Sequence, residues 1–146
     1  MLPAPRGTCY LALEPLGAFM ETIGRLRRID RAVVARQRLS AVVLPKKVEL
    51  LDLRRREIVG AGLDASISTG DDYRKPQQVA AAADAAAMHG IVYPLRHDPD
   101  AALTGIALFD VGGERGDRPV LGTARISDTL IAEASAEFAL TVEPPD

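Results

Sequence analysis

One cysteine and two histidines in 146 residues leave little from which to build a metal centre or a disulfide. Cys9 has no internal partner, and a single thiol inside an apolar run reads as a small buried hydrophobe. His89 and His97 fall short of any Cys/His ligand set, which excludes structural zinc. No Gly-x-Ser-x-Gly turn is present, and Gly112-Gly113 lacks the spacing and the following helix of a phosphate-binding loop. An excess of charge of one sign is missing too. Eighteen basic residues against twenty acidic ones give a net −2, so no overall field draws the chain to nucleic acid or to an anionic membrane. No apolar run approaches the ~18 residues of a membrane span, and the opening Met-Leu-Pro-Ala-Pro-Arg has no signal-peptide core. A cytoplasmic protein is expected.

What is present suits one domain over 1–146, with its core at about 6–127. Hydrophobic residues make up 47% of the chain, enough for a single core. Short Val- and Leu-rich runs predict strands at Cys9–Leu13, Leu39–Leu44, Val48–Leu53, Ile91–Tyr93, Thr104–Phe109 and Leu121–Ser127. Pro15 opens an amphipathic helix through Ala18, Phe19, Ile23 and Leu26. Gln77–Met88 is almost all alanine and is the securest helix, with Pro76 starting it, Gly90 stopping it and His89 suited to the negative end of its dipole. Thr129–Phe138 predicts a last helix, followed by a frayed terminus. The arginines from Arg25 to Arg38 read as a solvated helix face and connection. Ile58–Gly70, with Ser66, Ser68 and Thr69, reads as a loop or short helix, and Asp110–Pro119 as a surface loop. Strands and helices alternate irregularly, so the expected class is α+β (mixed α/β), a small mixed sheet with flanking helices.

The stretch with most chemistry is Gly90-Ile91-Val92-Tyr93-Pro94-Leu95-Arg96-His97. A buried strand that ends in Tyr93, Arg96 and His97 holds polar side chains on a rigid element while the loop exposes them. Glu21 lies on the helix that follows the first strand. Taken alone, a helical glutamate is a surface acid or a helix cap.

Four segments in order alter that reading: Tyr10-Leu11-Ala12, Ala18-Phe19-Met20-Glu21, Asp72-Tyr73-Arg74-Lys75-Pro76-Gln77 and Gly90 to His97. Together they cover about Arg6 to Phe109, and in order and spacing the chain resembles the RES domain family. That family is named for an Arg, a Glu and a Ser, and its characterised members are toxins of bacterial toxin–antitoxin pairs that degrade NAD. The resemblance implies a fold like that of ADP-ribosylating toxins. It also implies cleavage of the nicotinamide N-glycosidic bond, with phosphate or water as acceptor, and neutralisation by a protein antitoxin. NAD is then substrate, and no cofactor is implied. Glu21 matches the family glutamate and takes the catalytic role beside an oxocarbenium-like ribose. Tyr10 matches the strand tyrosine and would stack on the nicotinamide or ribose, while Arg96 would pair with the pyrophosphate.

The chain departs from the pattern twice. Leu95 stands where the family's Tyr-x-Ser motif has serine. The Gly-Arg-Phe or Gly-Arg-Trp segment that the resemblance places earlier in the domain is absent, and Arg6, between Pro5 and Gly7, does not match it. The expectation is an N-terminally shortened domain with an uncovered sheet edge, which favours self-association. The alternative function is a catalytically silent RES domain that acts only as a binding module.

Overall fold

The computed structural model describes residues 6–23, 26–44, 47–61, 74–111 and 119–144. The element on which the fold is built is β6 (Thr104–Val111), where Thr104 and every residue from Gly105 to Phe109 are buried. A strand covered on both faces reads as a continuous apolar run, and Gly-Ile-Ala-Leu-Phe is one. β1 (Arg6–Ala12) pairs antiparallel with one side of it, and β5 (Gly90–Pro94) antiparallel with the other. β4 (Leu50–Asp52) adds parallel to β5, so the sheet order is β1-β6-β5-β4. β1, β4 and β5 therefore all run the same way. Their carboxyl ends, with the start of β6, form one rim of the sheet.

Parallel neighbours require a crossover, and α3 (Arg74–Ala85) supplies it between β4 and β5. Its buried Ala80 and Ala83 pack on Phe109 with Leu51, Met88 and Ile91 at the margin. Arg6 at the start of β1 reaches Asp84 of this helix at 2.6 Å. The opposite sheet face buries Val92, Ile106 and Leu108 with Cys9, Leu11, Leu44 and Leu50, so the thiol is a packing group. The helix is displaced from the expected Gln77–Met88, and Pro76 lies inside its first turn, where a missing N–H costs nothing. Its end is made by Ala87, left-handed at φ 59°, with Ala87 N–H donating to Asp84 O and Met88 N–H to Ala83 O. That is a Schellman closure with alanine in the usual glycine place. Gly90 instead begins β5, pressed against the Ala107 carbonyl. His89 does not cap the helix: its Nδ1 accepts the Glu49 N–H at 3.0 Å, beside the β4–β5 ladder.

A second layer forms from α1 (Pro15–Ile23) and α4 (Asp128–Phe138). Leu16, Phe19, Met20 and Ile23 of α1 pack with Leu130 and Ala134 of α4 and with Ile29, Val34 and Leu140. Two readings of this region need correction. The arginine-rich connection contains β2 (Arg28–Asp30) and α2 (Arg31–Arg36), the latter capped by Asp30, whose carboxylate accepts the Ala32 N–H at 2.6 Å. The terminus expected to fray instead forms β8 (Thr141–Glu143), parallel to β2. Arg28 pairs with Glu143 and Arg31 with Asp128, so much of the basic stretch is neutralised locally. β3 (Arg38–Val42) and β7 (Val120–Arg125) form a separate antiparallel ribbon. The class is α+β in a single domain. Ser66, Ser68, Thr69, Asp72, Tyr73 and the Gly112-Gly113 pair lie outside the described residues.

Candidate active site

The chain turns from β1 into α1 on the rim, and its backbone fixes that turn tightly. Leu13 N–H donates to Thr104 O at 3.0 Å, while Thr104 N–H donates to Glu14 Oε2 at 3.0 Å. Gly17 then lets α1 lie close: a Cβ there would stand 2.9 Å from Leu95 Cδ1 and 3.3 Å from Ala12 Cβ. Leu95 is 3% exposed and serves packing beneath α1. Asp98 holds the turn after it, accepting the Leu103 N–H at 2.6 Å and the Asp100 N–H at 3.1 Å.

Beside this junction Tyr93 of β5 faces Gly105 of β6 in register. A Cβ on Gly105 would fall 2.5 Å from Tyr93 Cζ and 2.6 Å from Cε2, so the phenol ring lies where a side chain would otherwise be. Ala12 of β1 pairs with the same glycine, and Tyr10, two residues earlier, shares that face. Tyr10 is on an edge strand and remains 55% exposed.

Glu21 stands over this face from α1. Its Oε2 is shielded from solvent and has no hydrogen-bond partner among the described residues. Burial pushes its carboxyl above the usual range, while the charges of His97 and then Arg96 pull it back. Tyr10 and Tyr93 are both raised, first by burial and then by the Glu21 charge, and Tyr93 also feels Tyr10. Glu21 is thus electrostatically close to groups from three other parts of the chain: β1, β5 and the turn after β5. Of the residues singled out in the sequence, Tyr10 and Arg96 come into range of Glu21. Tyr93 and His97 join them. Their segment was conspicuous in the sequence, but their membership depends on the Tyr93–Gly105 register, which no local pattern gives. Arg6 is engaged with Asp84 at the far end of β1.

Two cavities flank α1. A crevice of about 400 Å³ has Tyr10, Ala18, Thr22, Arg38 and Ser40 in its wall. A smaller one of about 280 Å³ is bounded by Met20, Arg27, His97 and Glu137. Glu21 lines neither. It lies on α1 between them, sharing a helix face with Ala18 and adjacent to Met20 and Thr22.

A second acidic group on the rim is built differently. Arg54 Nε donates to Asp52 Oδ1 at 2.8 Å, its Nη2 to Oδ2 at 2.9 Å, and its Nη1 to Thr104 Oγ1 at 3.3 Å. Those bonds hold the Asp52 carboxyl down to about 2. Among the described residues no three His, Cys, Asp or Glu side chains gather as a metal site would require, and no helix is long and apolar enough to cross a membrane. A shielded carboxylate oxygen with no partner among the described residues, beside two phenols, suits a ligand that offers a hydroxyl and carries positive charge.

The family model of the RES domain matches residues 2–136 of the chain. No curated protein and no solved structure matches it.

Proposed function

Since this chain belongs to the RES domain family, we propose that it degrades NAD by breaking the bond between nicotinamide and ribose, as the family likeness implies. The observation that carries the reading is the Glu21 carboxylate, which is half-buried, raised by burial and left with an oxygen that has no partner among the described residues. Ionised, it would accept a ribose hydroxyl and face the positive charge that develops at the anomeric carbon. The C1′–N bond breaks with its electron pair leaving on neutral nicotinamide. An oxygen of water or phosphate then bonds to C1′; when water adds, its proton is released, giving ADP-ribose. Tyr10 and Tyr93 offer aromatic faces to the cationic ring, and their raised phenols stay neutral near pH 7. Arg96 would hold the phosphate nearest the reacting ribose. A fold akin to ADP-ribosylating toxins, an antitoxin that closes the site and a cytoplasmic setting belong to the same proposal.

The test is nicotinamide release from NAD, followed by chromatography, for the protein and for Glu21→Gln. Release by the protein and its loss in a folded Glu21→Gln variant support the reading. Equal release by both removes Glu21 from the chemistry. NAD binding without release favours the silent binding module.

A further inference from the structure

The ribbon beside the Tyr10 crevice carries an arrangement that cleavage at Glu21 does not use. Arg38 of β3 and Arg125 of β7 are direct register partners, so two guanidinium groups start from opposed positions on neighbouring strands. Like charges so placed repel. Both residues are exposed, and neither has a carboxylate partner among the described residues. The next residues on the same face are Ser40 and Thr123, also partners, with their hydroxyl oxygens 3.0 Å apart. Leu39, between Arg38 and Ser40, packs on the main core, which leaves the two arginines and two hydroxyls on the other face. Arg38 and Ser40 line the same crevice as Tyr10.

We propose that this ribbon face is the subsite for the adenosine-side phosphate of the dinucleotide. The inference rests on the NAD reading and extends it from the reacting ribose to the far end of the substrate. A phosphate between Arg38 and Arg125 turns their mutual repulsion into two charge-assisted contacts, while the Ser40 and Thr123 hydroxyls supply neutral donors beside it. Tyr10 shares its crevice with Arg38 and Ser40 and also feels the Glu21 charge, which links the two ends, and Arg96, close enough to lower the Glu21 pKa, serves the reacting end. Arg38 Nη1 already donates to Ala35 O and Gln37 O at 2.9 Å, which holds the stem at the end of α2 and leaves Nη2 for the anion.

ADP-ribose is the probe, because it keeps both phosphates but has no nicotinamide to lose. Calorimetric titration is made into the protein, Arg38→Gln, Arg125→Gln and Arg55→Gln; the last removes equal charge from an exposed residue near the opposite sheet edge. Loss of a charge-assisted bond weakens binding by about tenfold or more in the first two variants, and Arg55→Gln binds as the parent does. The Arg125 side chain, unlike that of Arg38, makes no bond to a backbone carbonyl among the described residues, so its variant spares the end of α2. Unchanged affinity in Arg38→Gln and Arg125→Gln overturns the subsite, as does equal weakening in Arg55→Gln or no binding by the parent. Arginine-dependent ADP-ribose binding in a protein that releases no nicotinamide would reject the cleavage reading and keep the subsite. Nicotinamide release with an unchanged KM in Arg38→Gln would do the reverse.

Discussion

Glu14 lies just before α1 and Glu21 in its last turn, and the fold treats them in opposite ways. Glu14 Oε2 receives the buried Thr104 N–H at 3.0 Å, and Thr104 Oγ1 in turn receives Arg54, which also grips Asp52. Every link in that corner joins a donor to an acceptor. Glu21 Oε2 is shielded from solvent and receives nothing among the described residues. Burying a polar group without a partner costs free energy, and a carboxylate more than most. The paired acid is committed to holding the β1–α1 turn on the rim, and the unpaired one is available to a ligand.

The largest separation between the two regions should be in turnover. Glu21→Gln is expected to lower nicotinamide release by about a hundredfold or more, since it keeps shape and removes the charge that the proposed mechanism sets against the reacting ribose. Glu14→Ala should leave release within a few-fold of the parent. It should instead lower unfolding free energy by about 1–3 kcal/mol in a urea titration, because it strands a buried donor. Loss of turnover in both variants at equal stability would erase the distinction.

Gly105→Ala asks whether the Glu21 face also depends on close packing. The added methyl falls 2.5 Å from Tyr93 Cζ and 2.7 Å from Leu95 Cδ2, overpacking expected to cost about 1–3 kcal/mol and to move the phenol. Adding Tyr93→Ala should recover part of the stability but none of the activity, a coupling that a double-mutant cycle reads directly. Additive effects would mean that the ring does not rest on this glycine.

How much of this was readable beforehand depends on the range of the interaction involved. The α+β class and the main strands follow from local apolar runs, and β6 stands out because it is apolar at nearly every position. β2 and β8 are invisible in that way: Arg-Ile-Asp and Thr-Val-Glu are short and charged, and each is a strand only because the other lies beside it. α3 ends before its alanine run does because Ala87 adopts the left-handed turn that glycine usually marks. Tyr10, Glu21 and Arg96 were legible through the order of the family motifs. Tyr93 and His97 were visible as polar residues after a strand, but their place around Glu21 required the β5–β6 register and the close seating of α1 on Leu95.

The smallest effect belongs to the paired corner, and it has a definite sign with pH. Asp52 is held down to about 2 by Arg54, below the roughly 3.9 of an unfolded aspartate. Its contribution is therefore complete above that unfolded value and lost as pH falls toward 2. Arg54→Met should cost up to about 1 kcal/mol near neutral pH, since both side chains are partly exposed. Chemical denaturation at pH 2 should find that gap nearly closed.

Glu21 must show the opposite sign, and this is the most direct test of its being an acid left open by the fold. Its folded carboxyl is raised by burial, so the folded state holds the proton more tightly, and stability falls as pH rises from the unfolded value of about 4.3 through the folded one. Thermal melting of the protein and of Glu21→Gln across that range reads the difference. The account predicts that the variant melts higher at neutral pH and that the advantage disappears below about pH 4, where both side chains are neutral. A variant that melts lower than the parent at neutral pH, by a margin that closes in acid, would mean that the Glu21 carboxylate is already satisfied inside the fold and would contradict the claim.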